Sequence, residues 1–137
     1  MTTGKAETTG GPDRSLTDRR LLILVAEDVP VIHDVIELSL RPFKADYLFI
    51  TDGQEVLDAL EDTIPDLVLL DIALPGVDGW EVLRQMRANP RLSDVPVVVI
   101  TAHGPGIEQD LMALGANAYL DKPFLPSALR LIVKHLL

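Results

Sequence analysis

Leu67–Gly79 reads Leu-Val-Leu-Leu-Asp-Ile-Ala-Leu-Pro-Gly-Val-Asp-Gly. Its apolar run, bounded by Pro65-Asp66 upstream and Pro75-Gly76 downstream, has the signature of a strand buried on both faces. The run delivers an acid, Asp71, to its end. An unpaired charge is costly to bury, so this carboxylate has to emerge in a cleft where donors or cations meet it. Pro75-Gly76 and Asp78-Gly79 then turn the chain sharply. The partners of Asp71 must come from elsewhere in the chain.

Upstream, Leu21–Ala26 is a second continuous apolar run, and it ends in Glu27-Asp28. Pro30 sits where a first helical turn tolerates proline, and Ile32, Val35, Ile36 and Leu40 follow at helical spacing until Arg41-Pro42 stops them. Tyr47–Ile50 is a short strand. Asp52-Gly53 leads into a helix with Val56, Leu57 and Leu60 on one face. Downstream of Gly79, Trp80, Leu83 and Met86 mark a helix that ends before Asn89-Pro90. Val95–Ile100 is β-branched and predicts a strand ending at Thr101-Ala102. A Gly104-Pro105-Gly106 loop leads to a helix with Ile107, Leu111 and Leu114, closed by Gly115. Ala118–Leu120 is a fifth strand, followed by Asp121-Lys122-Pro123, and Leu129, Ile132, Val133 and Leu136 predict the last helix.

Strand and helix thus alternate five times without a repeat. That alternation requires a parallel sheet with helices on both faces, in which ligands bind beyond the carboxyl ends of the strands. The polar residues at those ends are Glu27, Asp28, Asp71, Thr101 and Lys122. Each has an ordinary explanation alone: strands often end in polar residues, threonine suits strands, and surface lysines are common. Together on one edge they form a set. Three carboxylates in one place repel unless a hard cation sits among them, and Mg²⁺ prefers a few carboxylates, a carbonyl and retained waters. A phosphoryl group transferring to Asp71 would use that charge compensation, because a carboxylate is a competent nucleophile for it. Lys122 would pair with one phosphoryl oxygen and Thr101 would donate to another.

The gross numbers agree with one domain. There are 137 residues, 47% of them hydrophobic, and no cysteine. That is enough chain for a real core, without disulfides or thiolate metal sites. No apolar run approaches the roughly 20 residues of a membrane helix. Met1–Ser15 lacks the apolar core of a signal peptide, and the absence of cysteine makes a cytoplasmic location the expectation. Net charge is −9; residues 1–20 contribute +1, so the remainder carries −10. A body that acidic argues against binding the phosphate backbone of nucleic acid. Residues 1–19, rich in Gly, Thr and charges, are expected to be disordered, and residues 20–137 to form the domain.

Glu27-Asp28, Asp71 with Pro75-Gly76 and Asp78-Gly79, Thr101-Ala102, and Tyr119 through Lys122-Pro123-Phe124 together resemble the receiver domain of bacterial two-component response regulators. The likeness runs from about Arg20 to Leu137, with the motifs in the family's order. It implies a CheY-like, doubly wound (βα)5 domain with strand order 2-1-3-4-5. It also implies phosphorylation on Asp71 by a sensor histidine kinase or histidine phosphotransfer protein, with Mg²⁺ bound. In the family pattern Asp28 and Asp71 ligate the metal directly, Glu27 acts through water, and the Ala73 carbonyl completes the site. The amides of Ile72 and Ala102 hold phosphoryl oxygens. Thr101 and Tyr119 form the switch, which alters the face made by the fourth helix, fifth strand and fifth helix. That face is where a downstream protein, or a second copy in a homodimer, is expected to dock. Ala73 and His103 flank the path of the hydrolytic water. The chain departs from the pattern in Glu27 for a common aspartate, in Leu74 for a methionine, and in a Gly/Pro-rich loop at 102–106 that is about one residue short.

Leu137 falls just as the fifth helix finishes, which reads as a stand-alone receiver acting by docking or onward phosphotransfer. A phosphorylation-independent interaction module and a Mg²⁺-dependent hydrolase are the competing expectations. The intact five-residue set argues against the first. Ala73, standing where a dehalogenase-type Asp-x-Asp motif needs its second acid, argues against the second. His33 and His135 fall on predicted helices with no partner set evident from sequence.

Overall fold

The computed structural model describes residues 20–102 and 106–137; the expectation of disorder in residues 1–19 lies outside them. Five strands, β1 (Leu21–Ala26), β2 (Ala45–Ile50), β3 (Leu67–Leu70), β4 (Val97–Thr101) and β5 (Ala118–Asp121), alternate with five helices. The helices are α1 (Pro30–Ser39), α2 (Gly53–Asp62), α3 (Gly79–Ala88), α4 (Glu108–Leu114) and α5 (Pro126–Leu136). All strand pairs are parallel, in the order β2-β1-β3-β4-β5.

Apart from Thr101 at the end of β4, the three central strands are built from Leu, Val, Ile and Ala because both of their faces are covered. Successive side chains on a strand point to opposite faces. Leu24 and Ala26, Val68 and Leu70, and Val97 and Val99 pack with Val56, Leu60, Val82, Leu83, Met86 and Leu111 of α2, α3 and α4. The alternate set, Ile23, Val25, Leu67, Leu69, Val98 and Ile100, packs with Ile36, Leu129 and Val133 of α1 and α5. Burying each such side chain contributes about 1.5–3 kcal/mol, so the register of the central strands is firmly held.

Strand boundaries differ from expectation where backbone donors are diverted. Val95-Pro96 belongs to the turn before β4, because the Val95 N–H donates to Leu92 O (3.1 Å) and proline has none to give. β2 starts earlier than Tyr47, at Ala45, since Leu21–Ala26 pairs with its whole length.

The loop after β3 is held by close backbone approach. Gly53 N–H donates to Pro75 O (3.0 Å), and Gly79 N–H to Ile72 O (2.9 Å). A Cβ on Gly53 would lie 1.6 Å from Val77 O, and one on Gly79 would lie 2.6 Å from Asp71 O. Only glycine allows both approaches. At the far end, Arg87 reaches from the last turn of α3 to Gly115 O (2.9 Å), Leu92 O (3.2 Å), Ser93 O (3.2 Å) and Asn117 Oδ1 (3.0 Å). These bonds pin the C-terminal end of α4. No helix among the described residues is long and apolar enough to cross a membrane.

Candidate functional site

From β1 the chain leaves to β2 on one side, then returns to β3 on the other. Beyond the carboxyl ends of β1 and β3 this reversal leaves a crevice. Glu27 and Asp28 follow β1, and Asp71 follows β3. Asp71 N–H donates to Ala26 O (2.9 Å), which continues the ladder one residue past β3 and sets the two strand ends side by side. One carboxylate oxygen from each of Glu27, Asp28 and Asp71 lies within 4.8 Å of the others.

Lys122 enters from the end of β5. Its amide donates to Thr101 O (3.0 Å), so the end of β4 carries the residue that aims the ammonium. Nζ lies 2.8 Å from Asp71 Oδ2 and 2.5 Å from Glu27 Oε1. The three side chains are 14%, 6% and 3% exposed, so the pairs are shielded from water. The remaining carboxylate oxygens take backbone donors: Asp71 Oδ1 accepts from Ala73 N–H (3.0 Å), and Glu27 Oε2 from Val29 N–H (3.0 Å). The Lys122–Pro123 peptide bond is cis.

The charges do not balance. One ammonium faces two buried carboxylates, and Asp28 adds a third, exposed one. Burial pushes the Glu27 carboxyl above its ordinary range; the Lys122 and Val29 hydrogen bonds oppose this, and the charge of Asp71 adds to it. Burial acts to lower the Lys122 ammonium, but its bonds and charge interactions with Asp71 and Glu27 prevail and raise it. A surplus of negative charge carried by hard oxygen donors, partly exposed on the Asp28 side, fits a hard divalent cation by the chemistry of its donors.

The other residues singled out by sequence lie around this cluster. Thr101 is fully buried as the last residue of β4, opposite Asp121 in register. Ile72 is buried beside Asp71, whereas Ala73 and Ala102 are exposed at the loop starts. Tyr119 packs partly buried against the core on the α4 side, alongside Ile107 and Leu114. Its hydroxyl donates to Asp121 Oδ1 (2.7 Å), and desolvation together with this carboxylate pushes the phenol up to about 12. His103 lies outside the described residues. His135 is exposed in the last turn of α5.

His33, expected from sequence to be an ordinary surface or core histidine with no partner constellation, is partly buried and held by two contacts. Its Nε2 lies 2.7 Å from the carbonyl oxygen of Glu27, and its ring stacks on Phe49. A backbone acceptor leaves no trace in the pattern of side chains, which is why sequence reading missed it. The one available hint was that His33 stands a turn into the helix that follows the acid pair.

Residues 23–134 match the response regulator receiver domain family. The chain is 40% identical over 111 residues to the DNA-binding response regulator MtrA of Mycolicibacterium smegmatis; the match covers 80% of this chain and 47% of that protein. The chain thus spans about half the length of that relative. Among solved structures it is similar to the receiver domain of sensor histidine kinase PA1611 from Pseudomonas aeruginosa PAO1, which has a magnesium ion coordinated in its active site cleft. That likeness has a TM-score of 0.76 at 32% identity, covering 85% of this chain and 97% of that one. It is also similar to the phosphorylated cyanobacterial phytochrome response regulator RcpA, with a TM-score of 0.71 at 30% identity, covering 85% and 91%. With the β2-β1-β3-β4-β5 sheet and an acidic cluster at the β1/β3 crevice, these matches make one assignment: the chain belongs to the response regulator receiver domains of two-component systems.

Proposed function

We propose that this chain receives a phosphoryl group on Asp71 and passes the information on by a change of shape. The observation that carries the reading is the Lys122 ammonium held between Asp71 and Glu27, with Asp28 beside them. Its donor is a sensor histidine kinase or histidine phosphotransfer protein. An Asp71 oxygen attacks phosphorus as the P–N bond to the donor imidazole breaks, and the departing nitrogen takes up a proton. Asp71 and Asp28 would hold Mg²⁺ directly, with Glu27 through water and the Ala73 carbonyl completing the set. Mg²⁺ supplies positive charge for the oxygens of the transferring group. The magnesium in the cleft of the P. aeruginosa receiver and the phosphorylated state of RcpA support this assignment.

Lys122 has a second task. Once Asp71 carries the phosphoryl group as an acyl phosphate, the Lys122 ammonium turns from a carboxylate to a phosphoryl oxygen without leaving the crevice. The Thr101 hydroxyl and the amides of Ile72 and Ala102 take the remaining oxygens. Apolar side chains next to the acid pair and the lysine, namely Val29, Val31 and Leu125, are 40%, 61% and 71% exposed. They offer the donor protein a dry rim around an otherwise acidic mouth. The chemistry is that of a signalling domain that modifies itself and loses the phosphate, at a rate that the residues at positions 73 and 103 would set in the family pattern.

The response leaves through α4, β5 and α5, toward a downstream protein or a second copy. Movement of Thr101 toward the phosphoryl group vacates space for Tyr119, whose hydroxyl must then release Asp121. Arg87 fixes the C-terminal end of α4, so the displacement enters at its N-terminal end. The phosphoryl group favours a state already accessible.

Incubation with acetyl phosphate and Mg²⁺ is expected to add the mass of one phosphoryl group to the wild type and nothing to Asp71→Asn. No adduct on the wild type would favour a phosphorylation-independent module. Beryllofluoride with Mg²⁺ is expected to shift the NMR signals of Tyr119 and of residues 107–114; unchanged signals there would remove the switch but leave the acceptor role standing. The raised Lys122 value fixes the sign of a pH effect. Its stabilising contribution is complete below the free-lysine value of 10.5 and is lost as pH rises through the higher folded value. Between about pH 9 and pH 12 the melting temperature should therefore fall more steeply for the wild type than for Lys122→Met. Parallel curves would show that the ammonium contributes nothing to the folded site.

A further inference from the structure

Beyond the acid cluster and its lysine, one titratable side chain reaches back to the same turn. His33 lies on α1, and its Nε2 is 2.7 Å from the main-chain oxygen of Glu27. A carbonyl can only accept, so Nε2 carries the proton and donates it. The ring is held from the other side by Phe49 of β2, with centroids 4.4 Å apart and planes 25° apart. Phe49 is itself stacked on Tyr47 at 5.5 Å and 11°.

The contact adds to other bonds on this turn, from Val29 N–H to Glu27 Oε2 (3.0 Å) and from Ile32 N–H to Val29 O (3.0 Å), but neither of those holds the Glu27 carbonyl. Glu27 N–H is held by Ile50 O (3.0 Å), the last ladder bond on that side. Beyond it the chain crosses Asp28 and Val29 before α1 begins. Val29, the N-cap residue, makes no side-chain cap, and Pro30 has no N–H to offer. Asp28 is exposed and belongs to no strand or helix. Three carboxylates close together would drive this turn outward when no cation balances them. The bond from His33, backed by the Phe49 ring, ties the turn to both α1 and β2.

We propose that His33 is a positioning residue for the cation site. By fixing the Glu27 carbonyl it holds the Glu27-Asp28-Val29 turn in the geometry that presents both acids to the metal. The inference rests on the reading of Glu27, Asp28 and Asp71 as a Mg²⁺ site. It assigns a role to a residue that touches neither metal nor phosphoryl group. Groups outside the ligand shell that orient ligands typically change metal affinity by roughly 10–100-fold when removed.

Two substitutions separate the donor from the ring. His33→Phe keeps an aromatic face for Phe49 and loses the N–H, whereas His33→Gln keeps an N–H donor and loses the ring. Mg²⁺ affinity is read by titration calorimetry on the whole chain, and metal-free melting temperature by circular dichroism. The expected result is a roughly ten-fold weaker Mg²⁺ Kd for His33→Phe, at a metal-free melting temperature near that of the wild type, with most of the affinity regained in His33→Gln. His33→Leu, which lacks both ring and donor, keeps the test decisive if phenylalanine disturbs folding: it must lose at least as much affinity as His33→Phe. Saturable wild-type binding with equal Kd values in all variants overturns the assignment to His33 alone. A wild type that binds no Mg²⁺ overturns the reading of the acid cluster, and this inference with it.

Discussion

Everything in this molecule is arranged around one ammonium with too many carboxylates. Lys122 sits between Asp71 and Glu27, almost out of water, and Asp28 stands at the open side. Buried ion pairs of this kind are poor stabilisers, because desolvation offsets most of the Coulomb attraction. With a surplus acid, the metal-free site is worse than balanced; burial first, and the charge of Asp71 last, push the Glu27 carboxyl upward. A fold that keeps such an arrangement does so for chemistry. The surplus charge on hard oxygen donors suits a divalent cation, and in the proposed function a cation with a lysine beside it would let a phosphate dianion approach the aspartate.

The architecture supplies this site with few means. A parallel sheet brings the carboxyl ends of β1, β3, β4 and β5 to one edge, and the reversal between β1 and β3 opens a crevice there. Two aliphatic layers hold the register of the central strands, so Asp71 and the acid pair cannot slide relative to each other. The loops that follow are tied by backbone contacts that glycine permits, notably Gly53 against the Val77 carbonyl and Gly79 against that of Asp71. A rigid base and short loops give the precision that the proposed in-line transfer would need. The α4 side is built differently. Tyr119 keeps a polar bond to an exposed carboxylate, and Arg87 fastens only the far end of α4.

Much of this was legible in the sequence for a simple reason: fully buried parallel strands leave continuous apolar runs, and Leu21–Ala26, Leu67–Leu70 and Val97–Ile100 are such runs. Once five strand–helix units are counted, topology places Glu27, Asp28, Asp71, Thr101 and Lys122 on one edge without any knowledge of side-chain contacts. What stayed hidden was every interaction whose partner is main chain. His33 bonds to a carbonyl, Arg87 to three of them, and Gly53 is required by the position of another. Carbonyls are common to all residues, so no pattern of residue types announces them. The start of β4 was misplaced for a related reason: Val95 has the composition of a strand, but its N–H is spent on the preceding turn.

If separate strand ends form a single cation site, an amide NMR titration with Mg²⁺ shows it most directly. Saturable shifts should cluster at residues 27–29, 71–73, 101–102 and 122, all reporting one binding constant. Shifts that fail to saturate, or that centre on acidic residues elsewhere on the surface, would contradict it.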